Sequence, residues 1–289
     1  MQLLTECPVC GKNQWKPFSK SDPAPEKLHH AQVQCVECGL IGSQPQATDA
    51  EANAYYAGSY YETNWPDPEL VLRSNTAGYT ASEFPLMESM GVSIANGKGL
   101  RVAGIGCGYG GMLLMLKERG FNVVGCDISM RALEFCKSKG LDVACGKSPG
   151  IPLAPSSADL VVTTHVIEHM SDPRAFVKEL ATLLRPGGTL VIVTEDACGS
   201  QERWDWLRAR MKRSLPGFRT STDHTFVFGP SQLARICRIP QLETIRVKAF
   251  SRPPLPESLH WKAYKGLFRT SDKIRGHGEY IMAVARRPA

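Results

Sequence analysis

The sequence contains no apolar run that approaches the roughly 20 residues needed for a membrane-spanning helix. Its first six residues lack both a basic region and a long apolar core, so we expect no secretion signal. Hydrophobic residues make up 43% of the chain and charged residues 21%, which is ordinary for a globular protein. These features predict a soluble protein with no membrane span.

A disulfide framework is also missing from the pattern of the 10 cysteines. Four of them form two spaced pairs, and the others are scattered singly through the chain. Thiols used in this way suit a reducing compartment, so we expect a cytoplasmic protein.

The net charge of +6 is unevenly distributed. Residues 1–199 carry 16 Lys/Arg and 21 Asp/Glu, a balance of −5, whereas residues 200–289 carry 18 and 7, a balance of +11. A basic C-terminal third could attract a phosphate, a carboxylate, nucleic acid or an anionic surface. It could equally be a solvated basic face.

The two cysteine pairs, Cys7/Cys10 and Cys35/Cys38, each have the spacing Cys-x-x-Cys. A tight turn of this length directs both sulfurs at one ion, and two such turns make the tetrahedral sulfur site that structural zinc prefers. We therefore predict a zinc-binding module over residues 1–48, in which the metal substitutes for a large core. Four unligated surface cysteines are the alternative.

A tyrosine-rich segment follows, and we assign residues 49–98 to a helical lid or linker. Its paired tyrosines, four to five residues apart, would share one face of a helix. They would either cover a ligand, with Tyr56 and Tyr60 touching the substrate, or dock the module on the rest of the protein.

A glycine-rich turn, "GIGCGYGG", joins a short apolar strand to a helix from about residue 111 to 119. Glycines there let the backbone turn sharply and approach a ligand closely. The next strand ends in Asp127, 21 positions beyond Gly106, where a carboxylate could accept hydrogen bonds from ribose hydroxyls. The pair indicates an adenosine-bearing ligand, either NAD or S-adenosylmethionine, although Asp127 could instead only cap the following helix.

Strands and helices alternate strictly from residue 100 to 196, which predicts a mostly parallel sheet covered by helices on both faces. In such sheets the ligand binds at the carboxyl ends of the strands. One of these strands leads into "HVIEHM", residues 165–170, which matches a zinc-protease signature. A new helix begins too soon after it for the two histidines to share a helix, so we expect a loop there and no protease.

Four motifs in this order resemble the class I S-adenosylmethionine-dependent methyltransferase family: "VAGIGCGYG", "VVGCDIS", "ADLVVTTHVIEHMSDP" and "LLRPGGTLVIVTE". The resemblance implies a Rossmann-like sheet that ends in an antiparallel hairpin, for which 242–250 and 278–288 have the right character. It assigns the methyltransferase domain to 99–289, with an acceptor-cap insertion at about 197–230. The cysteine module is similar to those that precede some bacterial sugar and natural-product methyltransferases.

The resemblance also implies a cofactor, S-adenosylmethionine, and the residues that hold it. Two departures stand out: the family usually has an acidic residue at position 104, and the segment after the third strand lacks a common acidic contact to adenine, for which Ser148 could substitute. The expected cofactor-binding residues are Gly104, Gly106, Cys107, Gly108, Gly110, Asp127, Ile128, Ser148 and His165.

Methyl transfer needs an aligned acceptor and often a general base. The first candidate is His224, which related sequences place toward the acceptor, with a histidine that only bonds a loop as the alternative. His165 and Glu195, at or just beyond the ends of strands, are further candidates. The basic segment 201–219 could form a substrate cap, with Arg203 and Trp204 as contacts, or an amphipathic surface helix.

We thus expect an S-adenosylmethionine-dependent methyltransferase of a small acceptor, a carbohydrate or secondary metabolite that includes anionic ones, with O-methylation favoured. One alternative is an RNA base methyltransferase, which the acidic first 199 residues disfavour. Another is a catalytically silent zinc-containing interaction module. The sequence does not indicate the oligomeric state.

Overall fold

The computed structural model describes residues 2–18, 31–199, 224–252 and 276–289. Two β-sheets organise this part of the chain, one of seven strands and one of four. None of its helices combines the length and the apolar character needed to cross a membrane.

The seven-stranded sheet consists of β4 Arg101–Ile105, β5 Asn122–Asp127, β6 Asp142–Cys145, β7 Ala158–Thr164, β8 Leu184–Glu195, β10 Glu243–Phe250 and β11 Tyr280–Arg286. Across the sheet their order is β10-β11-β8-β7-β4-β5-β6. Pairing is parallel from β8 through β6, and antiparallel where β11 lies between β8 and β10. This arrangement confirms the predicted Rossmann-like class, including the terminal hairpin.

Helices lie between β4 and β5, between β5 and β6, and between β7 and β8, whereas the chain passes from β6 to β7 without a helix. Two of them begin at side-chain caps, because Ser129 and Asp172 each accept a hydrogen bond from a backbone NH in the first turn. The helices of this part are α5 Gly111–Glu118, α6 Met130–Ser138, α7 Pro173–Leu183 and α8 Pro230–Cys237.

Helix α7 ends earlier than the sequence indicates. Pro186 and Gly187 predict the stop, but the helix ends at Leu183 and Leu184 is already extended. The buried Leu184 side chain and its pairing with Ala158 draw the chain into β8 at this point. Tertiary pairing therefore outweighs the local stop signal.

Apolar side chains form two buried clusters. The larger contains Phe176 and Leu180 of α7 together with Leu233 of α8, and it extends to the cysteine module. The other contains Leu116 of α5 and Met87 from the segment before the sheet. Side chains buried in this way contribute about 1.5–3 kcal/mol each for the larger aliphatic and aromatic types.

The four-stranded sheet contains the cysteine pairs. Its strands are β1 Trp15–Pro17, β2 Gln32–Cys35, β3 Ile41–Ser43 and β9 Phe226–Val227, in the order β1-β2-β3-β9. Strand β9 comes from far along the chain, yet it pairs with β3 through Ile41 and Gly42. The module and the large sheet are thus tied by main-chain hydrogen bonds, while the boundary near residue 48 stays a prediction.

Short helices fill the segment between the two sheets. They are α1 Asp49–Ala57, α2 Tyr60–Asn64, α3 Pro68–Gly78 and α4 Phe84–Ser89, with a π-helical turn at Tyr79–Glu83. The paired tyrosines lie on α1 and α2, so they occupy two helices and not one face of the same helix.

Phe226 tests the tie between the sheets. Its side chain is fully buried and would contact a Cβ on Gly42 at 3.3 Å. We expect Phe226→Ala to lower the free energy of unfolding by about 3–5 kcal/mol, because it leaves a cavity at the junction. Urea denaturation measures the change, with the exposed Val36→Ala as control; equal effects of the two variants would contradict this assignment.

Candidate active site

Four parallel strands end at the same edge of the large sheet, and the candidate site lies there. In the parallel register, Ile105 at the end of β4 pairs with Cys126, next to the last residue of β5. At the end of β7, Thr164 pairs with Val193 of β8. The loops that follow these strands therefore meet at one edge, which is where open α/β sheets bind ligands.

The glycine-rich turn after β4 depends on positive φ angles. Gly106 has φ +65°, and a Cβ added there would lie 2.2 Å from a methyl carbon of Val166. Gly110 has φ +76°, and its Cβ would lie 2.5 Å from Leu141. Only glycine adopts such φ angles easily and leaves no Cβ to clash with these neighbours. The turn therefore brings backbone without side chains to the sheet edge.

Asp127 lies beside this turn and is almost fully buried. Its two carboxylate oxygens accept hydrogen bonds from the backbone NH of Gly108 at 2.8 Å and of Ser129 at 2.9 Å. The Tyr61 hydroxyl lies near it and contributes to lowering its pKa. Burial raises the pKa of Asp127 above its usual value, against these hydrogen bonds, which lower it.

A cavity opens between the turn and the end of β7. Among the described residues, its lining combines backbone of the turn with apolar side chains and two hydroxyls, and none of these side chains is charged. The lining residues are Tyr79, Gly104, Ile105, Gly106, Cys107, Met112, Leu113, Val162 and Thr164. Leu113 packs where a side chain at position 104 would go, since a Cβ on Gly104 would lie 2.8 Å from it.

Helices α1 and α2 place their tyrosines over the same edge. Tyr61 lies over the turn, because a Cβ on Gly108 would contact its hydroxyl at 3.1 Å. The Tyr56 hydroxyl hydrogen-bonds to Nδ1 of His169 at 2.7 Å, and the Tyr56 and Tyr60 rings meet edge-on at 5.0 Å. These contacts connect α1 and α2 to the glycine-rich turn and to His169.

His165 follows β7 directly and adopts φ +55°, a left-handed conformation that is uncommon outside glycine. Its backbone NH donates to the carbonyl of Val193 at 2.9 Å, which holds the residue at the strand end. Its Nδ1 lies 3.3 Å from Oε1 of Glu168, and about a third of the side chain, 32%, is exposed. The imidazole thus has a buried carboxylate on one side and is accessible on the other.

Glu168 is buried, with a side-chain exposure of 1%. Burial raises the pKa of a carboxyl group, but His165, His169 and His224 outweigh it and lower the pKa of Glu168 to about 2. The carboxylate is therefore ionised at neutral pH, with three imidazoles around it.

His224 lies deeper than the sequence suggested. It is buried, its ring meets that of His169 at 4.8 Å, and its Nδ1 lies 3.4 Å from Oε2 of Glu195. Its backbone carbonyl accepts a hydrogen bond from Ser43 of the cysteine module at 2.7 Å. Of the two histidines predicted as bases, His165 is the more accessible.

The other predicted residues either make contacts of a different kind or lie outside the described residues. The Ser148 hydroxyl hydrogen-bonds to the carboxylate of Glu179, and Ile128 offers its carbonyl to the thiol of Cys145. Arg203 and Trp204, with the rest of segment 201–219, lie outside the described residues.

The four module cysteines come together as their spacing predicted. The sulfurs of Cys7 and Cys38 are 3.5 Å apart and those of Cys10 and Cys35 are 3.6 Å apart, and all four lie within 4.8 Å of one another. Sulfurs that surround zinc tetrahedrally at about 2.3 Å are separated by roughly 3.8 Å. The cluster therefore fits a zinc ion.

One further polar contact at this edge joins residues that are far apart in the sequence. His277 Nδ1 lies 3.2 Å from Oδ2 of the buried Asp196, which also accepts hydrogen bonds from the backbone NH groups of Cys198 and Gly278. Glu168 was also missed as a site residue. Its one available signal was a charged residue directly between an apolar strand and an apolar helix.

Comparison with known proteins identifies the family. A family described as "Methyltransferase domain" matches residues 103–192. The ubiquinone biosynthesis O-methyltransferase of Cupriavidus pinatubonensis is 30% identical over 172 residues, which cover 57% of this chain and 68% of that protein. The enzyme of the same name from Aromatoleum aromaticum is 31% identical over 167 residues, or 55% and 70% of the two chains. The chain belongs to the class I S-adenosylmethionine-dependent methyltransferases.

Solved structures agree in fold. A methyltransferase of Haloferax volcanii, solved in complex with the activator Trm112, superposes with a TM-score of 0.55 at 15% identity, covering 83% of this chain and 98% of that one. A methyltransferase of Thermotoga maritima gives 0.52 at 19% identity, covering 78% and 97%. At such identities the likeness extends to the fold alone.

Membership defines the reaction class: this methyltransferase transfers a methyl group from S-adenosylmethionine. The residues at the sheet edge fit that cofactor, because the bare backbone of the turn and the carboxylate of Asp127 face the same edge as the cavity.

The low pKa of Glu168 predicts a pH-dependent stability. The ionised carboxylate stabilises the fold above its ordinary pKa of 4.5, and this contribution disappears as the pH falls through the folded-state pKa of about 2. We expect Glu168→Gln to lower the free energy of unfolding by roughly 3 kcal/mol at pH 7. The gap between the unfolding free energies of wild type and variant should shrink as the pH falls below 5.

Urea denaturation from pH 7 to pH 3 measures this gap, with Glu88→Gln at an exposed position as control. A gap that stays constant across this range would show that the Glu168 side chain acts by packing and not by charge.

Proposed function

We propose that this methyltransferase O-methylates a small acceptor, with His165 as the general base. The observation that carries the proposal is the pair formed by an accessible imidazole and a buried carboxylate, His165 Nδ1 to Glu168 Oε1 at 3.3 Å. The pair follows Thr164, which lines the cavity beside the glycine-rich turn. A base so placed stands between the cofactor cavity and the open edge of the sheet.

Cofactor binding falls to the turn and the carboxylate beside it. Asp127 would accept hydrogen bonds from ribose hydroxyls, a role that the nearby Tyr61 hydroxyl supports. The remaining contacts that we propose are backbone or short side chains around the cavity: Gly104, Gly106, Cys107, Gly108, Gly110, Ile128, Ser148 and His165. When bound, S-adenosylmethionine supplies an electrophilic methyl group on its sulfonium.

The His165–Glu168 pair would handle the proton. With Glu168 beside Nδ1, Nε2 would accept the proton of the acceptor hydroxyl. The resulting imidazolium is stabilised by the buried carboxylate, as in other histidine–carboxylate pairs. A positioned base of this kind contributes about 10²–10⁴-fold to the rate.

The lid tyrosines would keep water away from this step and position the acceptor. Tyr56 is anchored to His169, and its ring packs against Tyr60 near the open edge. Glu195, whose carboxylate lies against the buried His224, would orient the acceptor or assist His224 as a second base. Arg203 and Trp204 stay proposed acceptor contacts.

The acceptor that we propose is a carbohydrate or secondary metabolite with a reactive hydroxyl, including one with a phosphate or carboxylate. The O-methyltransferase names of the two relatives support oxygen as the methylated atom. RNA is a poorer match, because residues 1–199 carry a charge balance of −5 and so offer no basic stripe to a polyanion. On the cysteine pattern we also propose a cytoplasmic location.

Methyl transfer to a panel of phenols, sugars and hydroxy acids tests the function, with radiolabelled S-adenosylmethionine and the full chain. We expect transfer to a hydroxyl, and a fall in kcat of about 10²–10⁴-fold in His165→Gln with a much smaller loss of affinity for S-adenosylhomocysteine.

His277→Gln is the matched control, since His277 also pairs with a buried carboxylate at this edge. Loss of activity in His277→Gln but not in His165→Gln would overturn the assignment of the base. Absence of S-adenosylhomocysteine binding to an intact preparation would overturn the cofactor site itself.

We propose zinc as the structural metal of the module, held by Cys7, Cys10, Cys35 and Cys38. Four thiolates close the coordination sphere, so the ion would stabilise the fold and take no part in methyl transfer. Strand β2 ends in Cys35, so the site also fixes the sheet to which β9 pairs.

Elemental analysis of the purified protein should give about one zinc per chain, as a single four-cysteine site holds one ion. Cys35→Ser should lose the metal and lower the melting temperature, whereas Cys145→Ser, at an exposed cysteine outside the module, should change neither. Full zinc content in Cys35→Ser would contradict the ligand set.

A further inference from the structure

The cofactor cavity is lined by uncharged side chains among the described residues, although its ligand carries charges. The methionyl part of S-adenosylmethionine ends in an ammonium and a carboxylate, and burying either without a partner is costly. Position 104 offers no side chain, and Leu113 fills the adjoining space, since a Cβ placed on Gly104 would lie 2.8 Å from it. Among the described residues, a partner of the methionyl end would therefore have to come from just behind the lining.

Glu83 is the buried carboxylate behind this wall, with an exposure of 0%. It lies four residues after Tyr79 in the π-helical turn, and Tyr79 lines the cavity together with Thr164. The carboxylate thus stands one helical turn from a residue that faces the ligand.

Only one of the two carboxylate oxygens of Glu83 has hydrogen-bond partners among the described residues. Oε1 accepts two hydrogen bonds from Arg252, at 2.8 Å from Nε and 2.5 Å from Nη2. Oε2 is buried and has no hydrogen-bond partner among the described residues. A buried anionic oxygen without a donor is destabilising, and it indicates a missing cationic or NH partner.

Arg252 holds Glu83 in place from the far side. Its guanidinium lies 4.9 Å from the centre of the Tyr280 ring and 5.6 Å from that of Tyr79, so aromatic faces fix its position. The arginine leaves the second carboxylate oxygen available, and the charge of that oxygen suits an ammonium group.

We propose that Glu83 binds the methionyl ammonium of the cofactor through Oε2, with Arg252 as the residue that positions it. This deepens the cofactor site of the proposed function and is independent of His165 and of the identity of the acceptor. Glu83 would then recognise the amino-acid end of the ligand, while the turn and Asp127 recognise the adenosine end.

Two ligands that differ in this end test the proposal. S-adenosylhomocysteine carries the ammonium, and 5′-methylthioadenosine has the same adenosine part without it. We expect Glu83→Gln to weaken binding of S-adenosylhomocysteine by about 10- to 100-fold, the range for a lost charged hydrogen bond. Binding of 5′-methylthioadenosine should be unchanged, both measured by calorimetry on the full chain.

The comparison separates recognition from folding. Equal weakening of both ligands would mean that the Glu83–Arg252 pair is structural, and no weakening of either would place the ammonium elsewhere; each result overturns the proposal. Glu88→Gln, an exposed glutamate in the next helix, serves as control and should leave both affinities unchanged. If wild type bound neither ligand, the cofactor site itself would fail, which is a distinguishable result.

A single substitution could unfold the protein by leaving Arg252 buried and unpaired. The double variant Glu83→Gln/Arg252→Gln removes both charges and keeps two amides that can hydrogen-bond to each other. We expect it to show the same selective loss of S-adenosylhomocysteine affinity. Retention of full affinity in a folded double variant would overturn the proposal.

Discussion

Parallel pairing of β4 with β5 on one side and β7 on the other is the constraint on which the site depends. Because parallel strands all end at the same edge, three loops that are far apart in sequence meet there. They are the turn from Gly106 to Gly110, the end of β5 at Asp127, and His165 after β7. The register of the sheet sets the distances between these loops, so each loop can be short.

A buried charge joins the outer parts of the protein to this edge. Glu168 would be costly to bury alone, and the imidazoles around it offset that cost. Those imidazoles are in turn held from outside: Tyr56 of the lid contacts His169, and Ser43 of the cysteine module contacts the backbone of His224. Helix α1 and the cysteine module thus both contact the histidines around Glu168.

Local patterns carried the fold class, the position of the sheet edge and the meeting of the four cysteines, because β-branched runs, glycine turns and Cys-x-x-Cys spacing act over a few residues. Long-range contacts could not be predicted in this way. Strand β9 joins a sheet whose other strands lie near the start of the chain, and His224 is buried by that pairing. The early end of α7 has the same origin, since the pairing of Leu184 with Ala158 ends the helix before the proline at position 186 could do so.

The position of the Tyr61 hydroxyl beside Asp127 would make cofactor binding a competition. If the ribose binds this carboxylate as proposed, it would bind only the fraction of molecules in which the tyrosine has moved away, so the apparent dissociation constant would be the intrinsic one divided by that fraction. Each 1.4 kcal/mol in favour of the tyrosine-bound form would weaken apparent affinity by about tenfold. Any contact that shifts helix α2 would then adjust how much of the enzyme is loaded at a given cofactor concentration, without a change in the pocket itself.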